Sequence, residues 1–182
     1  MEIREPKSFE DLLKLQKILD IEIDKPRENG FKQRYRTDRD IRMSIIAEIV
    51  EFNEETKRSH KTWKEKEFNE EKMKEEAVDI LFFFLQNINR YSEEKNAFSK
   101  LCEENVARIW EELWTDRAFS FPDEFDLIAS LLKPSFIDMC TSFTTRLVLF
   151  YKNVGMTKKE VYKIYFNKWQ KNMKRIKGDW TR

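Results

Sequence analysis

The chain has 182 residues, which is enough for one domain that buries its own hydrophobic core. Its 35 Lys and Arg nearly balance its 34 Asp and Glu, and no basic block alternates with aromatic residues, so the charge pattern argues against nucleic-acid binding. The longest apolar run, residues 80–85, is too short to span a bilayer, and no apolar leader begins the chain. We therefore expect a single domain over residues 1–182, soluble and cytoplasmic, with no membrane or nucleic-acid partner.

The first predicted element is a helix over residues 8–20, which carries an apolar stripe at helical spacing. Ser8 and Asp11 provide a capping-box-like start for this helix. The charged residues 21–36, which include a Pro and a Gly, are predicted to form a loop. Because the whole chain has only three Gly and four Pro, β-turns have few sites and the composition favours helices.

Two long helices are predicted next, over residues 37–59 and 70–91, with the polar stretch 60–69 between them. The apolar run at 80–85 lies inside the second of these helices. Since that run has no polar face, we expect it to lie at the centre of a bundle.

The second half of the chain is predicted to form further helices, whose breaks are marked by Pro122, Pro134 and Gly155. They cover residues 92–114, a short segment after 123, 134–153 and 157–177. The fold class is therefore all-α, a bundle of about six to eight helices with a four-helix catalytic core. We interpret the middle section, about 92–155, as a helical insertion or a dimer-forming part of the single domain.

Two pairs of carboxylates lie on the two long helices. Glu48 and Glu51 are three residues apart, and Glu48 lies in the row of apolar residues that should face the core. Glu76 and Asp79 repeat this spacing directly before the apolar run. Carboxylates on buried faces need cations or basic partners, and an all-oxygen set suits Mg²⁺. A di-iron site would need Glu-x-x-His motifs, and the single histidine, His60, has no Glu three residues before it.

Four blocks resemble, in chain order, motifs of the all-α dimeric dUTP diphosphatases, within the MazG-like all-α NTP pyrophosphohydrolase superfamily. They match that family's L-Q-x-x-L-N, E-x-x-E…K-x-W, E-x-x-D-x-x-H-F and C-terminal K-N-x-L-N-x-x-R segments, and lie at residues 15–20, 47–64, 75–83 and 165–180. The resemblance covers nearly the whole chain, although residues 92–155 carry no diagnostic motif. Three positions depart from the family pattern, at Asp20 in place of Asn, Phe82 in place of His and Trp169 in place of Asn.

The resemblance implies Mg²⁺-dependent hydrolysis of dUTP, and of dUDP, to dUMP by a homodimer. It implies that two or three Mg²⁺ per site are bound by Glu48, Glu51, Glu76 and Asp79. It also implies that Glu51 orients or deprotonates the attacking water. For Glu54 and Glu55 we weigh an assisting role against a solvated helix end. The three departures from the pattern border the base and sugar pocket of the family.

The resemblance further suggests residues for binding a deoxyuridine nucleotide. Each has a plainer alternative, since a lysine on a polar loop, an aromatic residue in an apolar run and cations near a helix C-terminus all occur without ligands. The set is Gln16, Asp20, Lys61, Trp63, Phe83, Lys168, Asn172 and Arg175. The last three of these residues share one stripe of the final helix, at i, i+4 and i+7. Gly178 and Trp180 fit a tail that closes over the substrate.

Two other functions are consistent with the same residues. A related all-α pyrophosphatase acting on dCTP or a modified nucleotide would accommodate the changes at Asp20 and Phe82. A helical interaction module without enzymatic activity would use the acidic pairs structurally. The first alternative changes only the substrate, and the second removes any response to Mg²⁺ and nucleotide.

Overall fold

Seven helices form the part of the chain that the computed structural model describes, residues 3–26, 30–94, 96–115 and 120–177. No strand occurs within these ranges, and the predicted all-α fold is confirmed. None of the described helices combines the length and apolar character needed to cross a bilayer. The helices are α1 (Phe9–Ile23), α2 (Asp38–Glu55), α3 (Glu70–Glu94), α4 (Asn96–Thr115), α5 (Glu124–Leu131), α6 (Phe136–Asn153) and α7 (Lys158–Lys177).

Side-chain caps begin several helices where the sequence indicated them. Ser8 accepts a hydrogen bond from the backbone N–H of Asp11 at the start of α1. At the start of α7, the Thr157 N–H donates to Glu160 Oε2 at 2.9 Å, and the Glu160 N–H donates to Thr157 Oγ1 at 3.2 Å. Gly155, two residues after the end of α6, adopts φ 78°. This left-handed conformation terminates a helix, and glycine adopts it at low steric cost.

Helix ends are where the structure departs from the predicted bounds. α1 continues three residues beyond the predicted end at residue 20, because the Pro and Gly that break the helix lie further along the chain. α2 ends at Glu55 and not at 59, since Thr56 takes an extended backbone with ψ 160° and its hydroxyl donates to Asn53 O at 2.8 Å. α3 continues to Glu94, past the predicted end at 91.

α3 lies at the centre of the bundle and packs against α1, α2, α4 and α7. Its apolar run is buried as expected except at Phe83, which is only half-buried. The middle section contributes Trp110, Phe143 and Tyr151 to the same hydrophobic core, and the Tyr151 hydroxyl donates to Ala77 O at 3.1 Å. An inserted or dimer-forming role for that section stays a prediction.

α2 and α3 run antiparallel, and this pairing positions the carboxylates. Near the end of α2, Glu55 lies 2.8 Å from Lys72 Nζ at the start of α3. Near the beginning of α2, Arg36 hydrogen-bonds both Ser44 and Gln86, which lies in the second half of α3. Glu48 in the middle of α2 therefore faces the turn of α3 that carries the second acidic pair.

Candidate active site

Three of the four predicted carboxylates converge between α2 and α3. One oxygen each of Glu48, Glu76 and Asp79 lies within 4.8 Å of the others, and all three side chains are half-buried. Glu51 is exposed and is not part of this trio. The pairing of the two helices thus separates the predicted quartet into a converged trio and one outlying carboxylate.

The trio carries more negative charge than its surroundings balance. Burial, together with repulsion from Asp79, Glu51 and Glu76, raises the pKa of Glu48 to about 7. Burial also raises the pKa of Asp79 to about 6, against the opposing effect of its ion pair with Lys168. Carboxyl groups with raised pKa values in a shared cleft are typical of catalytic and metal sites.

Lys168 of α7 is the cation that contacts the trio. Its ammonium group forms an ion pair with Asp79 and donates to Glu75 O at 3.1 Å. One lysine compensates only one of three carboxylates, so the trio remains short of positive charge. Asn172 and Arg175 follow on the same stripe of α7; Asn172 is half-buried and Arg175 is exposed.

The donor chemistry of the trio fits a divalent cation. All three residues offer carboxylate oxygens, and oxygens bound to one Mg²⁺ at 2.0–2.1 Å lie at most about 4.2 Å apart. The observed limit of 4.8 Å is close to that spacing. The trio includes no His or Cys, which zinc and iron sites use.

A second polar cluster is buried beside α1. Gln16 and Gln86 each donate through Nε2 to Asp20 Oδ1 at 2.8 Å, and the Tyr165 hydroxyl donates to Gln16 Oε1 at 2.9 Å. Gln16 and Asp20 are predicted site residues, whereas Gln86 and Tyr165 were missed. The position of Gln86, seven residues after Asp79 on one stripe of α3, is the signal in the sequence that points to it.

Asp20 in this cluster is a carboxyl with one satisfied and one unsatisfied oxygen. Only 8 % of the residue is exposed, and Oδ2 has no hydrogen-bond partner. Burial raises its pKa from 3.8 to about 6, although the two glutamines and the charge of Arg90 oppose this rise. Arg90 and Arg36 interact electrostatically with Asp20, and the Tyr165 hydroxyl reaches the same cluster by donating to Gln16.

Replacing Asp20 by Asn is expected to remove part of the pH dependence of stability. A carboxyl whose pKa is raised on folding stabilises the fold below its unfolded pKa, and that contribution is lost as pH rises through about 6. Relative to the parent chain, Asp20→Asn should therefore gain about 2 kcal/mol between pH 4 and pH 7.5. Urea unfolding of both chains at the two pH values measures this difference. The pH-dependent contributions of Glu48 and Asp79 cancel, because both chains contain these residues. An equal difference at both pH values would contradict the raised pKa.

The remaining predicted residues lie around α2 and α3. Lys61 is half-buried and forms an ion pair with Glu54. Trp63 is 73 % exposed on the segment between the helices. Phe83 is half-buried, with the Arg36 guanidinium 5.0 Å from its ring centre. Their roles toward a nucleotide stay predictions.

The interpretation of Glu55 as a solvated helix end is wrong. Glu55 is 8 % exposed and forms ion pairs with Lys66 and Lys72, because the chain between α2 and α3 folds back over it. The proposed closing tail, with Gly178 and Trp180, lies outside the described residues.

Comparison with known protein families covers nearly the whole chain. A family model described as dUTPase (dUTPase_2) matches residues 8–180, which include both long helices, the polar cluster and the stripe of α7. No curated protein matches the chain.

Proposed function

Because the chain belongs to the all-α dUTPase family, we propose that it hydrolyses dUTP to dUMP and pyrophosphate, and dUDP to dUMP and phosphate, with Mg²⁺ as the cofactor. The family match supports dUTP diphosphatase activity. The observation that carries the Mg²⁺ dependence is the trio of carboxylate oxygens within 4.8 Å of one another. Removal of dUTP from the nucleotide pool follows as the role of the enzyme.

In the proposed mechanism, Glu48, Glu76 and Asp79 hold the metal. A divalent ion bound there neutralises charge on the phosphate oxygens and lowers the pKa of bound water. Glu51, exposed beside the trio, orients the attacking water and takes its proton. The water oxygen joins phosphorus as the bridging P–O bond between the α and β phosphates breaks, so that water and dUTP yield dUMP and pyrophosphate.

The proposed substrate residues divide into phosphate and base contacts. Lys168, which forms an ion pair with Asp79 beside the proposed metal ligands, would supply a point charge for the phosphates, and Arg175 would offer a bidentate contact. Asn172 and Lys61 complete the phosphate set. The base contacts are Gln16, Asp20, Trp63 and Phe83.

Two or three ions per site and a homodimer are part of the same proposal. An apolar face without a partner among the described residues supports the homodimer, because Met43 and Val50 on α2, Phe125 on α5 and Leu132 directly after α5 are between 40 % and 81 % exposed. α2 and α5 pack together, so these side chains belong to neighbouring helices. We also place the enzyme in the cytoplasm, with the nucleotide pool.

Replacing Phe125 by Glu is expected to dissociate the homodimer. A charge on a side chain that is 81 % exposed in the single chain costs little in a monomer but is desolvated in an interface. The dimer constant should weaken by at least about a hundredfold, as buried unpaired charges cost about 3 kcal/mol or more. Sedimentation over a range of concentrations measures it. The matched control is Leu101→Glu, because Leu101 is also exposed but lies on α4. Dissociation by the control alone would place the interface on α4.

The proposed function is tested by pyrophosphate release from a panel of deoxynucleoside triphosphates, with Mg²⁺ and with EDTA. We expect dUTP to be the preferred substrate and activity to vanish without metal. Preference for a purine nucleotide would overturn the assignment. If neither activity nor a thermal shift with Mg²⁺ and nucleotide is seen, the chain is an interaction module.

A second substrate, dCTP, is favoured by one observation. Asp20 above its pKa of about 6 offers only acceptors, which suit the exocyclic amine of cytosine, whereas its neutral acid form also offers a donor. The same panel, measured at two pH values, separates the two pyrimidines.

A further inference from the structure

A separate cavity of about 230 Å³ lies where the start of α2, the second half of α3 and the start of α6 meet. Of the described residues that line it, three are arginines and one is acidic. Arg42 is six residues before Glu48, and Asn87 is eight residues after Asp79, so the cavity lies roughly 9–12 Å along the helix axes from the carboxylate trio. It is lined by Tyr35, Arg36, Asp38, Arg42, Asn87, Arg90, Tyr91 and Phe136.

Buried donors without acceptors are concentrated on this cavity. Asn87 is 1 % exposed, and among the described residues its Nδ2 has no hydrogen-bond partner. The buried Nε of Arg90 likewise has none there. Arg42 Nε also lacks a hydrogen bond, although it lies 2.8 Å from Asp38 Oδ2 and is compensated in charge. A buried amide donor left unpaired costs about 1–3 kcal/mol, so these groups favour a ligand that brings acceptors.

The charges on the cavity leave one guanidinium uncompensated by direct contact. Arg42 pairs with Asp38, and Arg90 pairs with Asp24 at 2.5 Å. Arg36 instead donates to two neutral groups, Gln86 Oε1 at 2.8 Å and the Ser44 hydroxyl. Burial lowers the pKa of Arg36, although the charges of Asp40 and Asp20 oppose this effect from a distance. An anion in the cavity would supply the missing charge.

The volume of the cavity limits the size of the anion that it can hold. Pockets for drug-sized ligands span about 300–1,000 Å³, so a volume of 230 Å³ suits a small oxyanion better than a whole nucleotide. Guanidinium groups bind phosphate oxygens through paired N–H donors, and an amide N–H adds a further one. Tyr91 and Phe136, stacked at 3.7 Å between ring centres, form an aromatic wall on one side of the cavity.

We propose that this cavity binds a phosphate group, as free inorganic phosphate or pyrophosphate or as the terminal phosphate of a nucleotide, through Arg36, Asn87 and Arg90. The site is distinct from the carboxylate trio and needs no metal. It is connected to the buried polar cluster, because Arg36 donates to the same Gln86 that donates to Asp20.

The test is a titration with inorganic phosphate in EDTA at constant ionic strength, with the Asn87 side-chain amide followed by NMR. We expect a saturable shift of that resonance, and none with chloride. Arg36→Gln should weaken phosphate binding at least about tenfold, because a charge-assisted pair is lost. Asn87→Leu, which keeps the size and removes the donor, should also weaken binding, as measured by calorimetry. The control Arg108→Gln, exposed on α4, should leave it unchanged.

The outcomes separate the possible sources of the phosphate. Binding of phosphate and pyrophosphate but not dUMP identifies the free anion, whereas binding of all three with the same dependence on Arg36 assigns the nucleotide terminus. The proposal is overturned if the Asn87 resonance does not move, or if Arg36→Gln and Asn87→Leu both bind phosphate like the parent chain. The latter result would place any phosphate binding outside this cavity. Since EDTA removes metal catalysis from the assay, failure here leaves the dUTPase assignment intact.

Discussion

Replacing Glu48 by Gln is expected to lower kcat for dUTP on the order of a thousandfold, or about 4 kcal/mol in the activation barrier. Glu48 lies in the trio of converging carboxylates, and an uncharged amide is a much weaker ligand for Mg²⁺ than a carboxylate. Steady-state rates at saturating dUTP, over a series of Mg²⁺ concentrations, measure the loss. Asp79→Asn and Glu76→Gln should behave alike, since all three share one site.

The same substitution should stabilise the metal-free fold. The pKa of Glu48 is raised to about 7, so its folded-state contribution is present below the unfolded pKa and is lost as pH rises through 7. At pH 8 without metal, Glu48→Gln should therefore be more stable than the parent chain by about 1–2 kcal/mol, after allowance for partial solvent exposure. The matched control is Glu75→Gln, an exposed neighbour on α3. Loss of activity together with loss of stability would instead indicate a structural role for Glu48.

Replacing Glu51 by Gln is expected to lower kcat by about a hundred- to ten-thousandfold while the affinity for Mg²⁺ changes little. Glu51 is exposed and lies outside the trio, a position suited to a group that handles the attacking water. Rates and the Mg²⁺ dissociation constant, measured on the same variant, separate a general base from a ligand. A parallel loss of Mg²⁺ affinity would assign Glu51 to the metal.

The matched control for this experiment is Glu54→Gln. Glu54 lies on the next turn of α2 but forms an ion pair with Lys61, which lowers its pKa and leaves it poorly suited to accept a proton. Its substitution should change kcat only a few-fold. A larger loss for Glu54 than for Glu51 would transfer the role of base to Glu54.

Local features of the sequence predicted the helices well. Apolar periodicity and cap residues depend on neighbours three or four positions away, so Ser8, Thr157 and Gly155 mark helix ends from the sequence alone. α2 ends at Glu55 and not at the predicted residue 59, because Thr56 takes an extended backbone, and Glu55 there forms ion pairs with Lys66 and Lys72 from later in the chain. Neither partner is visible in a helical pattern.

The sequence by itself determined the helical class, the two acidic pairs and the resemblance that a family match then confirmed. Those features are set by spacings within single helices. Only the tertiary structure decided that Glu48, Glu76 and Asp79 converge without Glu51, and that Tyr165 reaches Gln16 across 149 residues. The arginine-lined cavity was likewise absent from any motif. Such groupings depend on the register and rotation of helices packed against each other, which long-range side-chain contacts fix and local periodicity does not.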